Sequence, residues 1–163
     1  MFKVAVVTVS DKGARGERED ESGRAIAEVV KAQGWEIVET RIIPDNIEEI
    51  IETLVELCDR RMDLVLTTGG TGFAVRDNTP EATLAVVERQ VPGLAEAMRA
   101  ETSKKNPRAI LSRAVAGIRK QTLIVNLPGS PKAVRECLEV IMPALPHGLE
   151  VLTGRARECA QRH

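Results

Sequence analysis

A chain of 163 residues is long enough to bury a full core and is read as a single domain over residues 1–163. Its 23 Lys and Arg against 24 Asp and Glu give a net charge of −1, and aromatics make up 2%, which argues against the basic footprint and stacking platforms of a nucleic-acid binder. No apolar run approaches the ~20 residues of a membrane span, and Met1-Phe2-Lys3 leads straight into a strand pattern without signal-peptide architecture, so a cytoplasmic protein with no membrane partner is expected.

Val4 to Val9 reads as a buried parallel strand, short and β-branched. Ser22 to Gln33 follows helical spacing and stops at Gly34. Trp35 to Ile43 reads as a second strand, after which Asp45 with Glu48 forms an Asp variant of the capping box. Ile47, Ile50, Ile51, Leu54, Val55 and Cys58 supply the apolar stripe of the helix that follows. Asp63 to Thr67 is a third strand. Thr79 as N-cap and Pro80 at the first position open a helix to about Arg89, and Pro92 opens another to about Lys104. Leu123 to Asn126 is a further strand, followed by a helix to about Met142 and a last one near Pro146 to Thr153. Alternating strands and helices predict an α/β three-layer sandwich with a mostly parallel central sheet. The tail from Arg155 to His163 is expected to fray.

Strand C-terminal ends share one rim in such a sheet, and ligands bind there. The segments at that rim are Ser10-Asp11, Pro44-Asp45, Thr67 to Asp77, and Asn126 to Pro131. Thr67-Thr68-Gly69-Gly70-Thr71-Gly72 can form a backbone nest for phosphate, or be a plain glycine-rich turn. It is neither a P-loop nor a dinucleotide fingerprint. Asp45 either caps a helix or holds a cation; Asp77 either closes a turn, pairs with Arg76, or shares that cation. Only His147 and His163 are present, so a metal here would be a hard ion on oxygens, such as Mg²⁺. Cys58, Cys137 and Cys159 lack C-x-x-C spacing and read as reduced thiols. Asp20 and Ser22 either cap a helix or contact a nucleotide, and Ser130 can cap the helix that Pro131 opens, leaving its N-terminus for an anion. Lys104 to Arg113, with Arg119-Lys120, is either a solvated face or a landing surface for an anionic substrate.

In chain order, Val9-Ser10-Asp11, Asp20-Glu21-Ser22-Gly23, Ile43-Pro44-Asp45, Thr67 to Gly72 with Arg76-Asp77 and Thr79 to Thr83, Ile110 to Arg113, and Asn126 to Ala133 resemble the molybdopterin adenylyltransferase (MogA/MoaB) family over nearly the whole chain. The chain departs from that pattern at Ala74, Val75 and Asn78. The resemblance implies transfer of AMP from ATP to molybdopterin, with Mg²⁺ and release of pyrophosphate. It implies Asp45 and Asp77 as the catalytic and metal-holding pair. It implies Ser10, Asp20, Ser22, Thr68, Gly69, Gly70, Thr71 and Gly72 on the nucleotide, and Ser112, Asn126, Pro128, Gly129, Ser130 and Lys132 on molybdopterin. It further implies a homotrimer or hexamer, with the helices after Pro92 and near Pro146 as candidate interface, and a molybdenum insertase as partner. A non-catalytic molybdopterin carrier or scaffold of the same fold is the alternative.

Overall fold

A computed structural model describes residues 1–155. Its elements run β1 (Lys3–Val9), α1 (Asp11–Ala14), α2 (Glu21–Ala32), β2 (Glu36–Ile43), α3 (Ile47–Asp59), β3 (Leu64–Thr68), α4 (Thr79–Val86), β4 (Arg89–Gln90), α5 (Pro92–Thr102), a 3₁₀ turn (Pro107–Leu111), β5 (Ala116–Arg119), β6 (Thr122–Leu127), α6 (Pro131–Ile141) and α7 (Leu145–Leu152). One sheet has the order β2-β1-β3-β6-β5-β4. β2, β1, β3 and β6 pair in parallel, while β5 is antiparallel to both β6 and β4. The expected three-layer, mostly parallel sandwich is the fold observed.

Side-chain alternation along the strands divides the core in two. Val4 and Val6 of β1 join Ile26 and Val30 of α2, Met98 of α5, Leu138 of α6 and Leu149 of α7 on one face. Ala5, Val7 and Val9 join Ile50 and Leu54 of α3 and Val86 of α4 on the other. No helix among the described residues is long and apolar enough to cross a membrane. Cys58 and Cys137 are buried free thiols, and burial pushes the Cys137 thiol up to about 11. Cys159 and His163 lie outside the described residues.

Several expectations are corrected. The helix from Pro80 ends at Val86 rather than Arg89, because Val87 turns extended and the chain enters β4. β4 and β5 escaped the sequence reading: one has two residues, and Ala116-Gly117-Ile118-Arg119 carries no clear period. Lys120, at φ 53, turns the chain from β5 into β6. Asn46, not Asp45, caps α3, its side chain accepting from the Glu49 N–H at 3.0 Å. Asn78, not Thr79, precedes α4, and it makes no side-chain cap bond. Ala95 and Met98 of α5 and Leu145 and Leu149 of α7 lie in the chain's own core, while Val151 of α7 is exposed. Other large exposed apolar side chains include Phe73, Val75, Ile110 and Leu111. Arg155 stacks over the Phe2 ring at 4.9 Å and donates to Asp63 at 3.3 Å; the rest of the predicted fraying tail lies outside the described residues.

Candidate functional site

The crossover from β1 to β2 runs through α2 on one face, and that from β2 to β3 runs through α3 on the other. The loops therefore diverge between β1 and β3, where an open α/β sheet has its crevice. A cleft of about 680 Å³ opens there, lined by Thr8, Val9 and Ser10 of β1 and its exit, by Thr68, Gly69 and Gly70, and by Asp20, Ser22, Asp45, Asp77, Gly129 and Ser130. All four strand-end segments anticipated from the sequence contribute to this rim.

Gly69 and Gly70 have φ of +92° and +69°, conformations that side chains avoid. A Cβ on Gly69 would stand 2.4 Å from the Val9 carbonyl oxygen, and one on Gly70 would stand 2.2 Å from Thr79 Oγ1. Backbone N–H groups in a turn of this kind can line a concavity for an anion; that of Gly69 is taken by the Leu127 carbonyl at 3.3 Å.

The acidic groups are linked. The Asp11 N–H donates to Asp45 Oδ2 at 2.9 Å, and the Asp45 N–H donates back to Asp11 Oδ1 at 3.0 Å. Arg76 grips Asp11 through Nε at 2.6 Å and Nη2 at 2.8 Å, so of the alternatives for Asp77 the pair with Arg76 is not formed. This bidentate hydrogen bonding holds the Asp11 carboxyl below its usual range. Asp45 is the opposite case: burial foremost, and then the negative charges of Asp11 and Asp77, push its carboxyl up. Asp77 Oδ2 accepts from the Ala74 N–H at 2.9 Å, which closes the 74–77 turn and leaves the carboxylate facing the cleft.

The other predicted residues divide by role. Ser10 caps α1, accepting from the Gly13 N–H at 3.0 Å, and Asp20 caps α2, accepting from the Gly23 N–H and the Thr8 hydroxyl. Ser22 Oγ donates to the Gly129 carbonyl at 2.6 Å, and Thr68 Oγ1 donates to the Pro128 carbonyl at 2.6 Å. These two bonds tie the β6 exit loop to α2 and β3. Ser130 caps α6, accepting from the Ala133 N–H. Asn126 is fully buried. Its Nδ2 donates to Thr67 Oγ1 and Thr83 Oγ1, and its Oδ1 accepts from the Val115 N–H. It therefore braces the sheet, and its amide is turned away from either cavity. Lys132 is exposed and lines neither cavity.

A second cavity of about 390 Å³ lies beyond the glycine loop, lined by Thr71, Gly72, Phe73, Ser112, Pro128 and Arg99, with Ala95, Met98, Leu111 and Ala133 as apolar wall. Thr71, Gly72, Ser112 and Pro128 thus face this cavity, while Gly69, Gly70, Gly129 and Ser130 face the first. The loops after β3 and β6 are walls common to both.

The sequence places Arg113 in a basic stretch, but its role emerges only from the structure. Its Nε donates to the Gly72 carbonyl at 2.8 Å, its Nη2 donates to the Asp77 carbonyl at 2.6 Å, and its Nη1 pairs with Glu81. It clamps the whole segment that carries Asp77. The basic stretch read from the sequence is accordingly not one surface: Arg113 turns inward, Arg119 donates to the Val86 carbonyl, and Lys120 pairs with Asp59.

Among the described residues no group of three or more His, Cys, Asp or Glu forms a metal cage. Two carboxylates facing one cleft, one of them pushed up by burial and then by neighbouring negative charge, suit an ion such as Mg²⁺ that arrives with phosphates and keeps several waters.

The family described as "Probable molybdopterin binding domain" matches residues 5–147. A molybdopterin adenylyltransferase from Helicobacter pylori strain J99 is 43% identical over 163 residues, covering 98% of this chain and 93% of the relative. The molybdopterin adenylyltransferase of Escherichia coli K12 is 47% identical over 147 residues, covering 88% and 75%. The crystal structure of the molybdopterin biosynthesis enzyme MoaB from Thermus thermophilus superposes with a TM-score of 0.90 at 52% identity, covering 94% of this chain and 98% of that one.

Proposed function

The chain belongs to the molybdopterin-binding domain family, and from that membership we propose that it is a molybdopterin adenylyltransferase, transferring AMP from ATP to the terminal phosphate of molybdopterin. The observation that carries this reading is the shared wall: one glycine loop, Gly69 to Gly72, borders both the larger, carboxylate-lined cleft and the smaller, more apolar cavity. ATP fits the chemistry of the first. The flat pterin fits the second, with its phosphate directed at the loop between them.

In the reaction an oxygen of the molybdopterin phosphate attacks the α-phosphorus of ATP. A new P–O bond forms, the bond from that phosphorus to the bridging oxygen breaks, and its electron pair leaves with pyrophosphate. A phosphate monoester is largely ionised near neutral pH, so no general base is demanded. The work of the protein is then positioning and charge neutralisation, and holding two reactants in line can supply up to about 7–11 kcal/mol of the barrier. The Gly69 N–H is taken by the Leu127 carbonyl, so the N–H groups of Gly70, Thr71 and Gly72 and the N-terminus of α6 would face the phosphates as donors. Asp45 and Asp77 are the residues that would hold Mg²⁺, which supplies screening of phosphate charge when bound. Ser10, Asp20, Ser22 and Thr68 fix the loops around the nucleotide, and Ser112, Pro128, Gly129 and Ser130 border the molybdopterin phosphate.

The reaction suits a cytoplasmic protein that hands its product to a separate molybdenum insertase. The homotrimer or hexamer that the family resemblance implies would cover exposed Phe73, Val75, Ile110 and Leu111, and light scattering of the purified protein tests it. The decisive experiment for the activity is incubation with molybdopterin, ATP and Mg²⁺, followed by mass spectrometry. Adenylyl-molybdopterin and pyrophosphate that need all three additions support the transferase. Bound pterin without product moves the function to a carrier, and ATP turnover without pterin moves it to a hydrolase.

A further inference from the structure

Thr79 has a hydroxyl with nothing to bond. The residue is fully buried at 0% exposure, its backbone N–H donates to the Gly70 carbonyl at 3.1 Å, and its carbonyl accepts from Thr83 Oγ1, yet its own Oγ1 has no partner. A buried hydroxyl without a bond costs stability, and valine would fill the same volume without that cost. The unbonded atom points at the cleft's acidic corner. The point where Gly70 would carry a Cβ is 2.2 Å from Thr79 Oγ1 and 3.4 Å from Asp45 Oδ1, so both oxygens lie on the same side of residue 70, and only a glycine there lets the hydroxyl stand so close to the loop. Asp45 Oδ2 is already held by the Asp11 N–H, whereas Oδ1 has no such anchor on its Gly70 side. Carboxylates that hold a cation are themselves held by hydrogen bonds from behind.

We propose that Thr79 is a positioning residue for Asp45, its hydroxyl donating to Asp45 Oδ1 when the cleft is loaded with a metal–nucleotide; this rests on the assignment of that cleft to ATP. Rotation of the two side chains on that side of Gly70 brings the atoms together. Both carboxylate oxygens are then fixed from the protein side, each with a lone pair left for the cation.

The test compares full-length Thr79→Val and Thr79→Ser with the wild type. Calorimetry reads the unliganded Tm and the affinity for α,β-methylene-ATP with Mg²⁺, neither of which requires turnover. Thr79→Val is expected to keep or raise Tm and to bind the analogue about tenfold more weakly, while Thr79→Ser, which retains the hydroxyl, binds like the wild type. Should the valine variant fail to fold, Thr79→Ala replaces it with the same expected loss of affinity. A lowered Tm with unchanged affinity makes the hydroxyl structural and overturns the proposal, as does equal affinity in all variants. A wild type with no affinity for the analogue overturns it together with the nucleotide cleft. A wild type that binds the analogue but forms no adenylyl-molybdopterin sinks the transferase reading alone and leaves the Thr79 comparison standing.

Discussion

Replacing Arg113 with alanine is expected to loosen the segment that carries Asp77 while the domain stays folded. The guanidinium holds the Gly72 carbonyl at 2.8 Å and the Asp77 carbonyl at 2.6 Å, and it also pairs with Glu81. Hydrogen bonds from a charged donor are worth about 1.5–3 kcal/mol each. The side chain is 35% exposed, so water recovers part of both, and the Glu81 pair at the surface adds about 0–1 kcal/mol. The net loss comes to about 2–3 kcal/mol, within the usual stability of a domain. The Arg113 N–H still donates to the Thr71 carbonyl at 3.0 Å in the variant, so the damage is confined to residues 72–81. A displacement of Asp77 by about 1 Å costs roughly a hundredfold in rate. Urea titration gives the global loss, native-state amide exchange of Ala74 and Asp77 gives the local one, and adenylyl-molybdopterin formation gives the functional one. Arg113→Lys keeps the charge without the fork and falls between the two. Wild-type stability, exchange and turnover in both variants would refute the clamp.

Asp45→Asn and Asp77→Asn are each expected to fold normally, lose at least about a hundredfold in turnover, and keep molybdopterin affinity; intact turnover in both removes their assigned role. Asp45→Asn also tests a pH dependence. Because the folded-state Asp45 carboxyl lies above its ordinary value of 3.8, the folded protein binds that proton more tightly than the unfolded chain. Its contribution therefore lowers stability as pH rises from 3.8 through the raised value. The variant should be more stable than the wild type at neutral pH, the difference vanishing in acid. Asp11, held below 3.8 by Arg76, runs the other way: its contribution is present above that value and is lost as pH falls through the lowered one. Urea titrations across pH check both signs, and no stability gain in Asp45→Asn at pH 7 contradicts the first. Asn126→Ala strands Thr67 Oγ1 and the Val115 N–H and removes one of the two bonds of Thr83 Oγ1, and it should cost about 2–4 kcal/mol; a loss below about 1 kcal/mol would make Asn126 a ligand contact rather than a brace.

Strands β1 and β3 and helices α2, α3 and α6 were legible because each has a long apolar period and a terminal signal: Gly34 after α2, Ser130-Pro131 before α6. The strand-end rim followed from the alternation of elements. Capping at residues 45–46 was not legible, because Asp45 and Asn46 are both good caps and only the reciprocal bonds with Asp11, 34 positions away, decide between them. Arg113 was hidden for the same reason: its partners lie 32 to 41 positions away, and no spacing along the chain distinguishes an arginine that folds inward from one that faces water. β5 was missed because a four-residue strand completed by pairing partners leaves no pattern of its own.

The glycine loop poses the hardest question for a sequence reader, whether glycines after a strand mean a ligand or only a tight turn. The structure separates them residue by residue. Gly69 is required by packing, since a Cβ there would meet the Val9 backbone at 2.4 Å, where β3 leaves the sheet beside β1. Any such turn would need it, ligand or none. Gly70 and Gly72 are different: a Cβ at either would meet the side chains of the site itself, Thr79 at 2.2 Å for residue 70 and Asp77 at 2.9 Å for residue 72. Those two glycines let an unbonded hydroxyl and a carboxylate pack against the loop, where Gly69 admits only neighbouring backbone. It is the Gly70 and Gly72 contacts, rather than the number of glycines, that argue for function here.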